Sequence, residues 1–151
     1  MLSEDKLSLA KIRISIAYQR LEAAKSMVMC KDYKAAANRS YYAVFSAMRA
    51  MLALIGIDSK KHSGIISEFQ KNYIKTGVFD KKLSRIITSL EFVRHNSDYN
   101  DFYVISKDEV IKQIENAELF LDAVKEYLIN NHNVYPVLED VDDYIKDNFE
   151  G

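Results

Sequence analysis

From Tyr33 to Ile55 the chain carries a segment that is apolar or aromatic on nearly every side, and beyond Tyr41 only Ser46 and Arg49 interrupt it. A surface helix shows one apolar stripe, so this segment predicts the central helix of a bundle, covered around most of its circumference. Asp32 stands where a side-chain oxygen can cap the N-terminus, and Gly56 suits the left-handed residue just past a helix end. One stripe, Asn38, Tyr42, Phe45, Arg49 and Leu52, brings polar groups toward the expected core. A buried polar group left unpaired costs about 1–3 kcal/mol. The stripe therefore predicts partners for these groups, either as a packing network or as a functional cluster.

The rest of the chain supplies helices to surround it. Leu7, Ala10, Ile14, Ala17, Leu21, Ala24 and Val28 alternate spacings of three and four, the seam of a long amphipathic helix starting near Ser3 or Glu4. Cys30 to Asp32 is a break short enough to make the next helix its antiparallel neighbour. After a polar loop from Asp58 to His62, the pattern predicts a helix from Ser63 to Thr76 with Ile65, Ile66, Phe69 and Tyr73 inward, ended by Gly77. A fourth helix runs from an Asp80 cap to about Asn96 on the stripe Leu83, Ile87, Leu90, which Arg94 continues. Asp98 stands four residues beyond Arg94, within pairing reach if the helix persists. Ser106 and Glu109 form a capping-box pattern for a last long helix through Val110, Ile114, Ala117, Leu121, Val124 and Leu128, ending at Asn130 and Asn131. With one proline and four glycines, breakers are scarce. The expected fold is all-α: an antiparallel bundle of about five helices plus a short C-terminal helix around Val137 to Asn148.

Composition sets the outer bounds. A chain of 151 residues with 48% hydrophobic content can bury one core. We expect a bundle domain over residues 1–132 and an acidic C-terminal extension over 133–151. The single cysteine, Cys30, fits a reducing, cytoplasmic setting and has no neighbours that suggest a nucleophile or metal ligand. Neither a basic-then-apolar leader nor an apolar run of membrane-spanning length is present. The net charge of −1 conceals an asymmetry. Residues 139–151 carry a net −5, whereas the strip from Lys60 to Arg85 carries +5 and could attract a polyanion. Val141, Ile145 and Phe149 would give a helical tail one apolar face, so the tail is expected to pack and shield part of the basic strip.

Four stretches then carry a resemblance: Asn38 to Phe45 (NRSYYAVF), His62 to Ile66 (HSGII), Lys75 to Gly77 (KTG) and Arg94 to Tyr99 (RHNSDY). Together, in this order and spacing over roughly residues 5–130, they resemble the prokaryotic HEPN domain family. The resemblance implies a helical bundle, usually dimeric, with a functional cleft where the second and fourth helices meet. It also implies partnership with a minimal nucleotidyltransferase acting as antitoxin to a toxin half. Catalytic members are metal-independent ribonucleases marked by an arginine followed, four to six residues on, by a histidine. Here, with four to six residues intervening, the positions after Arg94 hold Tyr99, Asn100 and Asp101, and His95 lies about 100° around the helix from Arg94. A tyrosine titrates near 10, too high for a base at neutral pH, so weak or absent ribonuclease activity is expected. Arg94, Asp98 and Tyr99 are the catalytic candidates; Asn38, Arg39, Tyr42, His62 and His95 are the candidates for binding nucleotide or RNA. No cofactor or metal is called for. Three functions compete: a nucleotidyltransferase partner that binds nucleotide or RNA, an active ribonuclease toxin using Asp98 or a dimer mate's His95, and a dimeric scaffold in which Arg39, Arg94 and Asp98 form only an ion-pair network.

Overall fold

The computed structural model describes residues 3–138, and among these the chain forms five α-helices and no strand. Helix α1 spans Glu4–Met29, and its first turn is capped by Ser3, whose Oγ accepts the Lys6 N–H at 3.2 Å. Its seam is fully buried at Ala10, Ile14, Ala17, Leu21 and Ala24. The alternation of alanine with larger residues lets α1 lie close against α2 (Tyr33–Leu54), which offers its own buried alanines at 36, 43, 47 and 50. The corner between them needs a left-handed residue, and Lys31 takes that conformation at φ 61°. Asp32 then caps α2 by accepting the Ala35 N–H at 3.1 Å.

α2 is the central helix, meeting α1, α3, α4 and α5. Its expected inward stripe is placed differently from the sequence reading. Leu52 is fully buried, but Asn38, Tyr42, Phe45 and Arg49 are only half-buried, and the buried polar side chains on α2 are Ser40 and Ser46. The reason is steric: the alanine-rich sides of α2 admit the close neighbours, and the bulky polar stripe is left along the more open side.

α3 covers His62–Phe69 and passes into a π-helical turn, Gln70–Ile74, where a single helix to Thr76 was expected. The wider turn keeps Tyr73 inward, and its hydroxyl donates to the Met51 carbonyl at 2.7 Å. His62 belongs to the first turn of α3 rather than to the preceding loop. Gly77, at φ 81°, ends the segment as expected. α4 spans Lys82–Tyr99; Asp80 Oδ1 accepts the Lys82 N–H at 2.8 Å, and the helix runs one turn farther than Asn96, which makes Asp98 helical.

α5 spans Lys107–His132, with the Ser106 hydroxyl accepting the Glu109 N–H at 3.1 Å. It ends at Asn133, left-handed at φ 54°, whose N–H bonds to Ile129 while that of Val134 reaches Leu128. Val134 is buried, and the Val137 N–H donates to Ser15 Oγ at 2.8 Å, so the chain leaving α5 turns back onto α1. The acidic stretch 139–151, and with it nearly all of the expected C-terminal helix, lies outside the described residues. Besides the main core there is a smaller apolar cluster of Ala36, Ala37, Val93, Ile105 and Val110, which braces the N-terminal half of α2 against α4 and the start of α5. No helix among the described residues is long and apolar enough to cross a membrane.

Candidate functional site

Where α2 faces α4, a line of polar side chains crosses from one helix to the other. Arg39 Nη1 donates to Asn38 Oδ1 at 3.1 Å, and Asn38 Nδ2 donates to Asp98 Oδ2 at 3.4 Å. Arg94 Nη1 lies 3.7 Å from the same Asp98 oxygen, the i,i+4 pairing that one more helical turn makes available. Arg94 thus pairs with this carboxylate directly, and Arg39 is joined to it only through Asn38. Arg94 is the more enclosed partner, with its side chain 12% exposed against 29% for Asp98.

The guanidinium of Arg94 lies over the ring of Tyr41, its Cζ 4.6 Å from the centroid, an arrangement that stabilises a cation by the negative face of the ring. Tyr41 is buried, and its hydroxyl is pushed up to about 12, first by burial, against the opposing pull of the Arg94 charge. The same hydroxyl stands 3.5 Å from His62 Nδ1. His62 in turn packs against Phe45, with ring centroids 4.5 Å apart, and edge-on to Tyr42 at 5.6 Å. The start of α3 therefore adds an imidazole to a site that the fourth helix alone does not furnish. Its pKa is held below the usual 6.5 by burial and then by the charge of Arg94, with Glu91 pulling the other way.

Two polar atoms on α4, Arg94 Nε and Ser97 Oγ, are buried without a hydrogen-bond partner among the described residues. An enclosed donor with nothing to bind is uncommon in a settled core and is expected where a ligand or water completes the site.

Of the eight residues singled out from the sequence, six converge here: Arg94, Asp98, Asn38, Arg39, Tyr42 and His62. The other two do not. His95 and Tyr99 pack against each other, with tilted rings 5.0 Å apart, along the outer face of α4, where both are exposed and where His95 borders a shallow cleft with Thr88, Glu91, Phe92 and Asn96. Three participants escaped sequence reasoning as site residues. Tyr41, which joins Arg94 to His62, reads in the sequence as one more apolar position. Phe45 was placed on the stripe but given no role at the site. Glu91 stands three residues before Arg94, the signal that places it near the same stripe. Among the described residues, no group of three or more His, Cys, Asp or Glu side chains is placed to hold a metal ion.

The sequence matches the family described as HEPN domain over residues 10–127. It is 33% identical over 119 residues to a protein of Methanocaldococcus jannaschii named as a putative toxin, covering 79% of this chain and 81% of that one. A second protein of that organism, also named as a putative toxin, is 32% identical over 85% of this chain and 95% of its own length. A UPF0332 protein of Thermotoga maritima is 32% identical over 72% of this chain and 82% of its own.

Proposed function

The chain belongs to the HEPN domain family, and from that premise we propose that it is the toxin-like partner of a minimal nucleotidyltransferase and binds RNA or a nucleotide between α2 and α4. The single observation that carries this reading is Arg94: an enclosed guanidinium with an unpartnered Nε, held over an aromatic ring and balanced by a carboxylate shared with the Asn38–Arg39 side. A guanidinium so oriented can make a charge-assisted, bidentate contact to a phosphate oxygen pair. The flanking Tyr42, Phe45 and His62 offer aromatic surface on which a base can stack. The names of the two archaeal relatives support the toxin half of the reading.

The protein acts in the cytoplasm as a homodimer, and its partner is the antitoxin nucleotidyltransferase. Binding dominates over cleavage in the isolated protein, because α4 has no histidine four to six residues beyond Arg94. The test is titration of a fluorescent oligoribonucleotide into the protein and into Arg94→Ala, with gel analysis of the same mixtures. Binding that depends on Arg94 with the RNA left intact is the expected result. Equal binding by both proteins would overturn the reading, and robust Arg94-dependent cleavage would replace it with an active ribonuclease.

A further inference from the structure

We propose that His62 takes up a proton when a nucleotide phosphate settles on Arg94 and then serves as the second cationic ligand of that phosphate, an inference that rests on the binding reading above.

The geometry begins with Tyr41, the buried residue that both groups touch: Arg94 lies over its ring, and His62 Nδ1 faces its hydroxyl. With Nδ1 engaged there, Nε2 on the other side of the imidazole is the atom left for a ligand. The hydroxyl can work in either direction. While His62 is neutral, the Tyr41 O–H donates to Nδ1; once His62 is protonated, Nδ1–H donates to the Tyr41 oxygen. Protonation therefore keeps the Tyr41–His62 contact, with the hydroxyl turning from donor to acceptor.

The groups facing His62 explain why it is neutral first and charged later. From α2 it meets Tyr41, Tyr42 and Phe45, none of them charged at neutral pH. From α4 it feels Arg94, which disfavours a second positive charge, and Glu91, which favours one. Lys61 precedes it in the chain. In the free protein, burial and Arg94 together hold the imidazole below its ordinary range. A phosphate on Arg94 cancels that repulsion and puts negative charge in front of the ring, so both influences reverse sign. The bound-state pKa then stands above the free-state one. The added affinity is fully present below the free-state pKa and is lost as pH rises through the bound-state value.

A tetrauridylate with hydroxyl ends is the probe, because it carries no group of its own that titrates over the range used. Its affinity is measured from about pH 5 to about pH 8, the ordinary span of histidine titration, for the wild-type protein, His62→Gln and the control His132→Gln on α5. In parallel, the three histidine side chains of the unaltered protein are titrated by NMR with and without the probe and assigned by through-bond correlation to their backbones. For each unit by which the probe raises the His62 pKa, wild-type binding is expected to be about tenfold tighter at the acid end. His132→Gln should keep that slope, and His62→Gln should lose it, binding with nearly level affinity across the range whatever the absolute strength left by loss of the ring. A level wild-type profile, a slope that survives in His62→Gln, or an NMR pKa for His62 unmoved by the probe overturns the proposal while leaving Arg94-dependent binding intact. Absence of Arg94-dependent binding at every pH removes the binding reading and this inference with it. The NMR titration is made on unaltered protein, so it decides the matter even if the His62 variant folds poorly.

Discussion

Removing the Arg94 side chain has two separable effects, because the same guanidinium balances Asp98 and stacks on Tyr41. Its pair is partly solvated, so the loss should fall below the roughly 3–5 kcal/mol of a fully buried pair and nearer to about 1–3 kcal/mol. Urea denaturation of Arg94→Ala should show this, and Arg94→Lys should recover part of the stability but less of the binding, since lysine keeps the charge and loses the planar fork. An unchanged urea midpoint in Arg94→Ala would mean that the side chain is not held by the contacts described. His62 adds a pH dependence in the absence of ligand. Its folded-state pKa is depressed, so its contribution to stability is present above the unfolded value near 6.5 and is lost as pH falls through the folded value. Thermal melts of the free protein should decline as pH drops from about 6.5 through the folded value, and His62→Gln should decline less. Asp58, where burial raises the carboxyl but the Ser59 N–H, Arg49 and Arg13 together hold it low, accounts for a further loss at more acid pH. At this scale the contacts of Arg94, Asp98 and Asn38 were readable in advance, because a polar or charged group on an apolar stripe needs a partner and Asp98 stands one turn from Arg94. Tyr41 was not, since a tyrosine in an apolar run gives no sign of what its hydroxyl meets.

Element by element, the helices follow the periodicity of their apolar residues, but α4 runs on to Tyr99 and α5 to His132, past the ends expected at Asn96 and at Asn130 and Asn131. The seam of α1, the Asp32 and Ser106 caps and the left-handed Gly56 and Gly77 all stand where the sequence puts them. Two features were hidden. A helix apolar on every side cannot announce which stripe will be left open; that is decided by which neighbours can approach closely, here along the alanines. The π-helical turn is also silent in sequence, since one extra residue in a turn shifts the helical phase without changing the composition. Tyr73→Phe should cost on the order of 1 kcal/mol through loss of its bond to the Met51 carbonyl, read from the urea midpoint. Gly64 is a sharper test of how α3 is seated. A Cβ there would lie 2.9 Å from Ser59 Cβ and against its hydroxyl, so Gly64→Ala must push the first turn of α3 away from the preceding loop. The far-UV spectrum should stay helical while the His62 NMR signal shifts, and an unmoved signal would show that the contact relaxes elsewhere.

For the molecule as a whole, part of the exposed apolar surface lies on α4 and the link that follows it. Phe92 and Tyr99 lie two turns apart on α4, and Phe102 and Val104 in the following link are 95% and 84% exposed. Such a surface suits burial against a second copy, and sedimentation at micromolar concentration should give about twice the chain mass; a clean monomer would count against the dimer. The opposition between the acidic residues 139–151 and the basic strip from Lys60 to Arg85 belongs to this scale as well. Removing residues 137–151 should give tighter and more salt-sensitive RNA binding if the tail covers part of that strip, and an unchanged salt slope would leave it without that role. Charge counts could raise this expectation from sequence, but not where the two segments lie relative to each other.

The short connection between α2 and α3 is fastened to α1. Asp58 is held by Arg49 Nη2 at 3.3 Å and by Arg13 Nη2 at 3.4 Å, and four residues later the chain delivers His62. In descent, loops of this kind lengthen and shorten freely because the packed helices hardly notice. Here one inserted residue between Asp58 and His62 would leave the bundle standing yet carry the imidazole away from Tyr41. Copies of such a gene could therefore lose the histidine's part in the site through a length change alone, with every residue of the cluster still in place.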